Sequence, residues 1–219
     1  MQGAGYLAIW SDLAPHDETD WAHWITREHA AERVGINGFL ACRIFRALGV
    51  GVNRYFILYE LDDENVVGGP DYLARLNAPT PWSQSIMPRL GKFARGGGRI
   101  AASAGVGQGG IVAPLRLDMP PSGDVATVVA ELAQLDRVIA VRVLLTDAAQ
   151  TSIKTREKGM RKDDGSFAAL VLIEGLDETA VRNALHHLRG VLPADAAATI
   201  DALPLYRLAF SLPKQLLPR

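Results

Sequence analysis

The sequence predicts an α+β fold in which two β-α-β-β-α-β repeats pair their antiparallel sheets into a barrel within one chain. Three observations support this prediction. The order of strand-like and helix-like segments in residues 1–104 recurs after residue 110, and a glycine-rich, uncharged stretch at residues 105–110 separates the two runs. One strand of the second run, at residues 167–173, is apolar on both faces, which indicates burial on both sides of a sheet.

Length and composition are those of an ordinary globular protein. The chain has 219 residues, 48% of them hydrophobic and 21% charged, and a formal net charge of −1. It has no basic tract, so we expect no nucleic-acid partner, and its longest apolar-leaning stretch is broken by glycines and a proline, so we expect no membrane span. Because no signal-peptide pattern is present and Cys42 is the single cysteine, we expect a cytoplasmic protein without an internal disulfide.

The first repeat follows from the alternation of apolar and polar residues. Its predicted strands are at residues 5–12, 39–48, 54–61 and 95–102, and its helical segments at residues 17–33, 71–76 and 83–90. A glycine-containing turn at residues 49–53 joins the two middle strands into a hairpin. This order is the ferredoxin-like one.

The second repeat has the same order with a period of about 105 residues, read from the elements rather than from residue identity. Its predicted strands are at residues 111–117, 138–146, 167–173 and 205–212, and its helices at residues 125–135 and 177–188. We therefore expect a first repeat at residues 1–104 that carries the site, a linker at residues 105–110, and a second, degenerate repeat at residues 111–219.

The helix at residues 17–33 carries the most reactive group of side chains. Near neutral pH the imidazole of His29 can take or give a proton, and Glu28 or Glu32 could hold its orientation. The alternative is a partly buried structural histidine that bonds a carboxylate. Trp24 shares the helical face of Glu28 by i, i+4 spacing and is the better pocket candidate, whereas Trp21 is expected to pack in the core.

The hairpin strands and a proline-rich segment supply further candidates. Arg43 could point into a cavity toward a carboxylate or phenolate, or pair with Glu60. Tyr55 and Tyr59 lie on one side of their strand and could donate to an oxyanion or share a core. Trp82 follows two prolines and is expected to close the mouth of a pocket.

Other motifs predict little chemistry. His186 and His187 are adjacent on a helix and point about 100° apart, so they cannot readily chelate one ion, and we expect no metal site. The basic run at residues 154–162 is interpreted as a solvated, mobile loop, with anion capture as the minor alternative. The glycines at residues 96–98 and 105–110 match no phosphate-binding fingerprint.

Four short patterns resemble the dimeric α+β-barrel superfamily, particularly its EthD-like members. They are Trp24-x-x-x-Glu28-His29-x-x-Glu32-Arg33, Gly38-Phe39, Tyr55-x-x-x-Tyr59-Glu60-Leu61 and Asn77-x-Pro79-x-Pro81-Trp82. The resemblance covers roughly residues 5–100, and in the second half it rests on element order alone. Members of that superfamily usually pair two halves between subunits. This chain would contain both halves as a pseudo-dimer, with a further homodimer as an option.

The resemblance implies a pocket between sheet and helices for a small hydrophobic or aromatic molecule, without a metal or organic cofactor. It implies an oxygenase, isomerase or lyase that acts on an aromatic or hydrophobic carbonyl compound. The expected catalytic residues are His29, Glu28 and Tyr55, and the expected substrate-binding residues are Trp24, Arg33, Arg43, Tyr59 and Trp82. Two alternatives stay open, a non-catalytic binding or structural module and, less favoured, haem binding through His187.

Overall fold

Eight antiparallel strands close into a β-barrel, and helices cover its outside. The computed structural model describes residues 1–49, 54–161 and 164–217. The strands are β1 (Gly5–Asp12), β2 (Phe39–Ala47), β3 (Arg54–Leu61), β4 (Gly91–Gly105), β5 (Ile111–Leu117), β6 (Val138–Thr146), the short β7 (Asp164–Gly165), β8 (Ala169–Gly175) and β9 (Tyr206–Pro213). The predicted mixed α+β class with a closed barrel is confirmed.

The barrel closes because its longest strand has a partner at each end. The hydrogen-bonded order is β1-β3-β2-β9-β5-β8-β6-β4, and β4 also pairs with β1. β4 is 15 residues long, so it reaches β1 with one part and β6 with the other. β7 adds only a two-residue parallel pairing to β4. Closure gives each of the eight barrel strands a partner on both sides, with β5 and β9 pairing over two residues only.

Helices lie on the outer face of the barrel. They are α1 (Glu18–Trp24), α2 (Ala30–Val34), α3 (Pro70–Asn77), α4 (Pro81–Ile86), α5 (Val125–Leu132), α6 (Ala148–Thr151), α7 (Arg156–Gly159), α8 (Glu178–Leu188) and α9 (Ala194–Thr199). A π-helical segment, Ile25–His29, joins α1 directly to α2. Within the described ranges, none of the helices combines the length and apolarity needed to cross a membrane.

Three apolar cores follow from the alternation of the strands. One fills the barrel interior with large rings such as Trp10, Phe56 and Phe167. The other two lie between the barrel and the helices, one in each half of the chain. Gly96 on β4 is required by this packing, because a β-carbon there would stand 2.3 Å from Cζ of Phe167.

Arg43 points into the barrel, where it pairs with Glu60 as the sequence allowed, and it does not reach a ligand pocket, which corrects its assignment to substrate binding. Its neighbours Cys42 and Ile44 pack under the helices, so alternation turns Arg43 to the opposite face. There its Nη1 donates to Glu174 Oε2 at 2.7 Å and its Nε lies 3.3 Å from Glu60 Oε1. The side chains of all three residues are fully buried.

Most element boundaries agree with those expected from sequence. β1, β3, β5 and β6 have the predicted bounds, whereas β4 begins four residues earlier and ends three later than expected. The extra length arises because β4 continues across both halves of the barrel. Of the predicted hairpin turn at residues 49–53, residues 50–53 lie outside the described ranges.

Candidate functional site

A narrow cavity lies between the helix of residues 18–34 and the outer face of the first half of the barrel. We call it the His29 cavity. Its free volume is about 30 Å³, which is room for one or two water molecules. Its lining includes Ile9, Ser11, Trp21, Trp24, Ile25, His29, Arg33, Ile57, Tyr59, Tyr72, Leu76, Met87, Phe93, Arg95, Glu157 and Arg161.

The π-helical segment places His29 in this cavity. The backbone N–H of Ala30 bonds to the carbonyl of Ile25, five residues back, instead of four as in an α-helix. As a result Trp24 stacks on His29, five residues on, with ring centroids 4.2 Å apart. π-Helical turns inside α-helices occur frequently at functional sites.

The same segment corrects the predicted position of Glu28. The α-helical period put Glu28 on the face of Trp24, but the extra residue in the π turn rotates it away from the cavity. Glu28 is half-buried and accepts a hydrogen bond from Thr80 Oγ1 at 2.6 Å. It therefore belongs to the contact between this helix and the segment that precedes α4.

His29 is a neutral imidazole at neutral pH. It is 6% exposed, and its burial lowers its pKa well below 6.5, with the positive charges of Arg33 and Arg161 adding to the effect. Nδ1 makes no hydrogen bond and lies 3.9 Å from Glu32 Oε2. The ring is thus unprotonated, and the nearby Glu32 carboxylate is itself paired with Arg33 and Arg75.

Unpartnered polar atoms converge on the cavity. In the described part of the chain, six buried side-chain nitrogen or oxygen atoms have no hydrogen-bond partner. Four of them belong to residues that line this cavity: Ser11 Oγ, His29 Nδ1, Arg95 Nε, and Tyr59 Oη, which has only a weak contact with the thiol of Cys42. Buried polar groups are nearly always paired, so these four atoms are the ones that a water molecule or a ligand in the cavity could satisfy.

Tyr59 supplies a hydroxyl that stays protonated. Burial raises its pKa well above 10, so the group remains a hydrogen-bond donor over the physiological range. The neighbouring Cys42 is also buried, and its pKa is raised to about 12. Its thiol is therefore packed and unreactive, as the sequence indicated.

The second half of the chain covers the cavity through residues 153–161, here called the covering segment. Glu157 is 3% exposed and accepts a hydrogen bond from Arg33, which lies 124 residues earlier in the chain. Arg161 lies over the ring of Phe93, 4.0 Å from its centroid, and pairs with Asp164. The basic run at residues 154–162 was expected to be solvated. Lys154 and Arg156 are exposed as expected, whereas the packing of Glu157 and Arg161 corrects that expectation for this part of the run; Lys162 lies outside the described ranges.

Two further predicted site residues lie outside the cavity. Tyr55 donates its hydroxyl to Glu18 and stacks on Trp21 at 4.0 Å between ring centroids, so it belongs to the helix–barrel core. Trp82 lies on α4, where its Nε1 donates to Asp20 Oδ1 at 3.1 Å, and it does not close the cavity. Trp21, expected only to pack, does line the cavity.

The structure brings in polar residues that the sequence did not single out. Ser11 and Arg95 follow the apolar residues Ile9 and Phe93 at two-residue spacing, on the strand faces that lie under the helices. Ser11 and Arg95 could have been identified from the sequence as polar residues on otherwise apolar strand faces. The sequence gives a weaker indication for Glu157, which is the single acidic residue within the basic run at residues 154–162.

Metal binding finds no support in the described ranges. No group of three or more His, Cys, Asp or Glu side chains that could hold an ion occurs there. His187 Nδ1 lies 2.8 Å from the carbonyl of Asn183 in its own helix, and His186 pairs with the exposed Asp201. These histidines have the contacts expected of surface residues.

Comparison with known proteins shows the fold. No protein-family model matches the chain, and no curated protein matches it in sequence. A solved anthrone oxidase-like protein superposes with a TM-score of 0.59 at 12% identity, covering 98% of this chain and 94% of that one. A candidate monooxygenase from Fusobacterium nucleatum subsp. nucleatum gives a TM-score of 0.52 at 12% identity, covering 98% and 96%. At such identities the likeness extends to the barrel fold alone.

Proposed function

We propose that the His29 cavity is the active site of a small-molecule enzyme of oxygenase type. Its substrate would be an aromatic or hydrophobic carbonyl compound, with His29 as the acid-base group. The observation that carries this proposal is the convergence of four unpartnered buried polar atoms on one cavity that contains a neutral histidine. Perturbed titratable groups in a cleft are a signature of active sites.

Each group has a role that follows from its contacts. His29 accepts a proton from the substrate, and Glu32, 3.9 Å away, stabilises the imidazolium. Tyr59 and Ser11 are donors for the oxygen on which negative charge develops. Trp24 holds the imidazole plane, because it stacks on the ring and is itself fixed by a 3.1 Å hydrogen bond from Nε1 to Ser83 Oγ.

Proton removal connects this geometry to oxygen chemistry. An aromatic ketone with an acidic C–H bond, or a phenol, loses a proton to give an electron-rich anion that dioxygen can oxidise. The names of the two structural neighbours, anthrone oxidase-like and monooxygenase, fall in the same reaction class and support it. Isomerase and lyase reactions would begin with the same proton transfer.

We also infer that the chain is a fused pair of ferredoxin-like repeats, residues 1–104 and 111–219, joined by residues 105–110. Matched positions in the two barrel halves support this. In the first half Arg43 pairs with Leu58 and Ala41 with Glu60, and in the second half Arg142 pairs with Leu172 and Ala140 with Glu174. The two Ala-x-Arg and Leu-x-Glu patterns are a repeat in residue identity as well as in element order.

A binding role without chemistry is the alternative that the small volume favours. About 30 Å³ admits no aromatic ring. An organic ligand must therefore displace the covering segment or place only one end in the cavity. A ligand sensor would use the same polar atoms for recognition alone.

The test is oxygen consumption with anthrone as the first probe, followed by a panel of phenols and aromatic ketones. We expect His29→Ala and His29→Gln to lower kcat by about 10²- to 10⁴-fold while circular dichroism stays unchanged. His187→Ala, a surface histidine of the second half, should keep full activity. Equal turnover in the His29 variants would refute the catalytic role, and saturable binding without turnover across the panel would favour the binding module.

A further inference from the structure

We propose that a second space, an open cleft beside the His29 cavity, binds an aromatic carboxylate whose acid group is held by Arg95. The cleft has a volume of about 430 Å³ and is bordered by Arg95, Thr146, Lys158, Ser166 and Phe167. Arg95 lines both spaces. The proposal rests on the proposed function for the aromatic part of the ligand and for placing its reacting end toward His29.

Arg95 differs from the other buried arginines in lacking an anionic partner. Four arginines are buried in the described part of the chain. Arg33 pairs with Glu157, and Arg43 and Arg142 both pair with Glu174. Arg95 is 7% exposed, yet no described carboxylate lies within ion-pairing distance of it.

The contacts that Arg95 does make leave much of its guanidinium free. Its Nη2 reaches the hydroxyl of Tyr72 at 3.4 Å, a long hydrogen bond, and its Nε has no partner. Its Cζ lies 5.6 Å from the centroid of the Tyr72 ring. A buried charge without a counter-ion is costly, so the protein gains when an anion is supplied from outside.

The charged side chains around the cleft favour the binding of an anion. Lys158 also has no carboxylate partner among the described residues, and its Nζ contacts only the carbonyl of Ser152 at 3.4 Å. Two acids line the cleft as well. Asp164 is neutralised by a two-point contact with Arg161, at 2.8 and 3.0 Å, and Asp118 is exposed to solvent. Arg95, which is buried, and Lys158, which is half-buried, are therefore the cations of the cleft that no described carboxylate neutralises.

Size and geometry indicate the ligand class. The cleft falls in the volume range of small-molecule sites, which the His29 cavity does not. A guanidinium matches a planar carboxylate by two parallel hydrogen bonds, a match that a neutral carbonyl cannot equal. A ring in the open cleft with its carboxylate at Arg95 would direct that end of the molecule to the boundary of the His29 cavity.

The test is isothermal titration calorimetry with 2-naphthoate and its neutral analogue 2-naphthamide. We expect the wild-type protein to bind the naphthoate at least about tenfold more tightly than the amide, the loss expected for a charged hydrogen bond. This comparison requires no variant, so it holds even if a substitution disturbs folding. No binding of naphthoate at millimolar concentration, or equal binding of the two probes, would overturn the proposal.

Variants then assign the effect to Arg95. Arg95→Gln should weaken naphthoate binding at least about tenfold, Arg95→Lys should recover part of it, and binding of the amide should not change. Arg99→Gln, on the same strand but half exposed, is the matched control and should bind as the wild type does. Wild-type affinity in a folded Arg95→Gln protein would overturn the assignment. His29→Ala should retain naphthoate binding, so failure here is distinct from failure of the proposed acid-base role.

Discussion

The two halves of the barrel each hold a small cavity under their helices, and the two cavities differ in the side chains that line them. The His29 cavity has about 30 Å³ of free space and the cavity beneath α5 and α8 about 40 Å³. The second is lined by Pro121, Ser122, Val125, Val128, Val129, Leu132, Val143, Val171, Leu188, Val191 and Leu192. The first cavity is lined by ionisable and hydroxyl-bearing side chains as well as apolar ones, whereas the lining of the second is nearly all aliphatic.

The helices that cover the two cavities explain this difference. In the first half, the π-helical segment brings His29 beneath Trp24 and into the cavity. In the second half, α5 is a regular helix of eight residues that buries Val129 and Leu132. An aliphatic lining can fill space and exclude water, but it offers no group that moves a proton. The covering element, more than the barrel, decides where a site can form.

The largest expected effect on stability concerns the ion pair between Arg33 and Glu157, which joins the two halves of the chain over the His29 cavity. Glu157→Ala leaves Arg33 as a buried cation with only Glu32 nearby, and it should lower the free energy of unfolding by about 3 kcal/mol. Urea denaturation measures this loss. Glu178→Ala removes an exposed partner of Arg207 in the second half and should cost at most about 1 kcal/mol. If the two substitutions lowered the free energy of unfolding equally, Glu157 would not anchor the covering segment to the first half.

The sequence predicted the fold because the fold depends on local patterns. Apolar alternation, glycine-marked helix ends and the repeated element order fix the strands and their sequence along the chain. Trp24, His29, Arg33 and Tyr59 were singled out from the sequence, and the structure brings them together at one cavity. Their convergence could be predicted because three of them lie on one helix and Tyr59 lies on a strand of the same half of the chain.

The remaining site residues depend on features that a single sequence does not show. The side of the sheet to which Arg43 points depends on which alternate residues of β2 lie under the helices. The position of Glu28 depends on a π turn that has no recognised sequence signal. Glu157 reaches Arg33 from 124 residues away. Tertiary contacts of that length are decided by the closed barrel, so no local pattern could reveal them.

The next largest effect is a dependence of the free energy of unfolding on pH, which arises from His29 in the first half. In the unfolded chain His29 titrates near pH 6.5, whereas in the native protein its pKa is well below that value. Between the two values the unfolded state binds a proton that the native state does not. The free energy of unfolding should therefore fall with decreasing pH below about 6.5, by at most about 1.4 kcal/mol per pH unit.

Urea denaturation between pH 7.5 and 5.5 checks this slope. The raised pKa of Glu32 acts in the opposite direction, so the contribution of His29 is taken from the difference between the wild type and His29→Gln. His29→Gln should flatten the profile, and His187→Gln in the second half should leave it unchanged. A wild-type profile in His29→Gln would show that the imidazole is not held neutral by burial.

The smallest effects compare one substitution in each cavity. Val171→Ile adds a methyl group to the aliphatic cavity and should raise the free energy of unfolding by about 0.5 kcal/mol without changing turnover. Ser11→Ala removes an unpartnered hydroxyl from the His29 cavity, so stability should change by no more than about 1 kcal/mol while turnover falls. Thermal denaturation and oxygen uptake measure both. If Val171→Ile lost turnover and Ser11→Ala kept it, the aliphatic cavity and not the His29 cavity would be the one that matters for activity.

The most direct measurement is a high-resolution crystal structure in which the electron density of the two cavities is compared. We expect ordered density within hydrogen-bond distance of at least two of Ser11 Oγ, His29 Nδ1, Tyr59 Oη and Arg95 Nε, and none in the aliphatic cavity beneath α5 and α8. The contrast would be contradicted if those four atoms were paired with one another and a bound molecule lay in the second half instead.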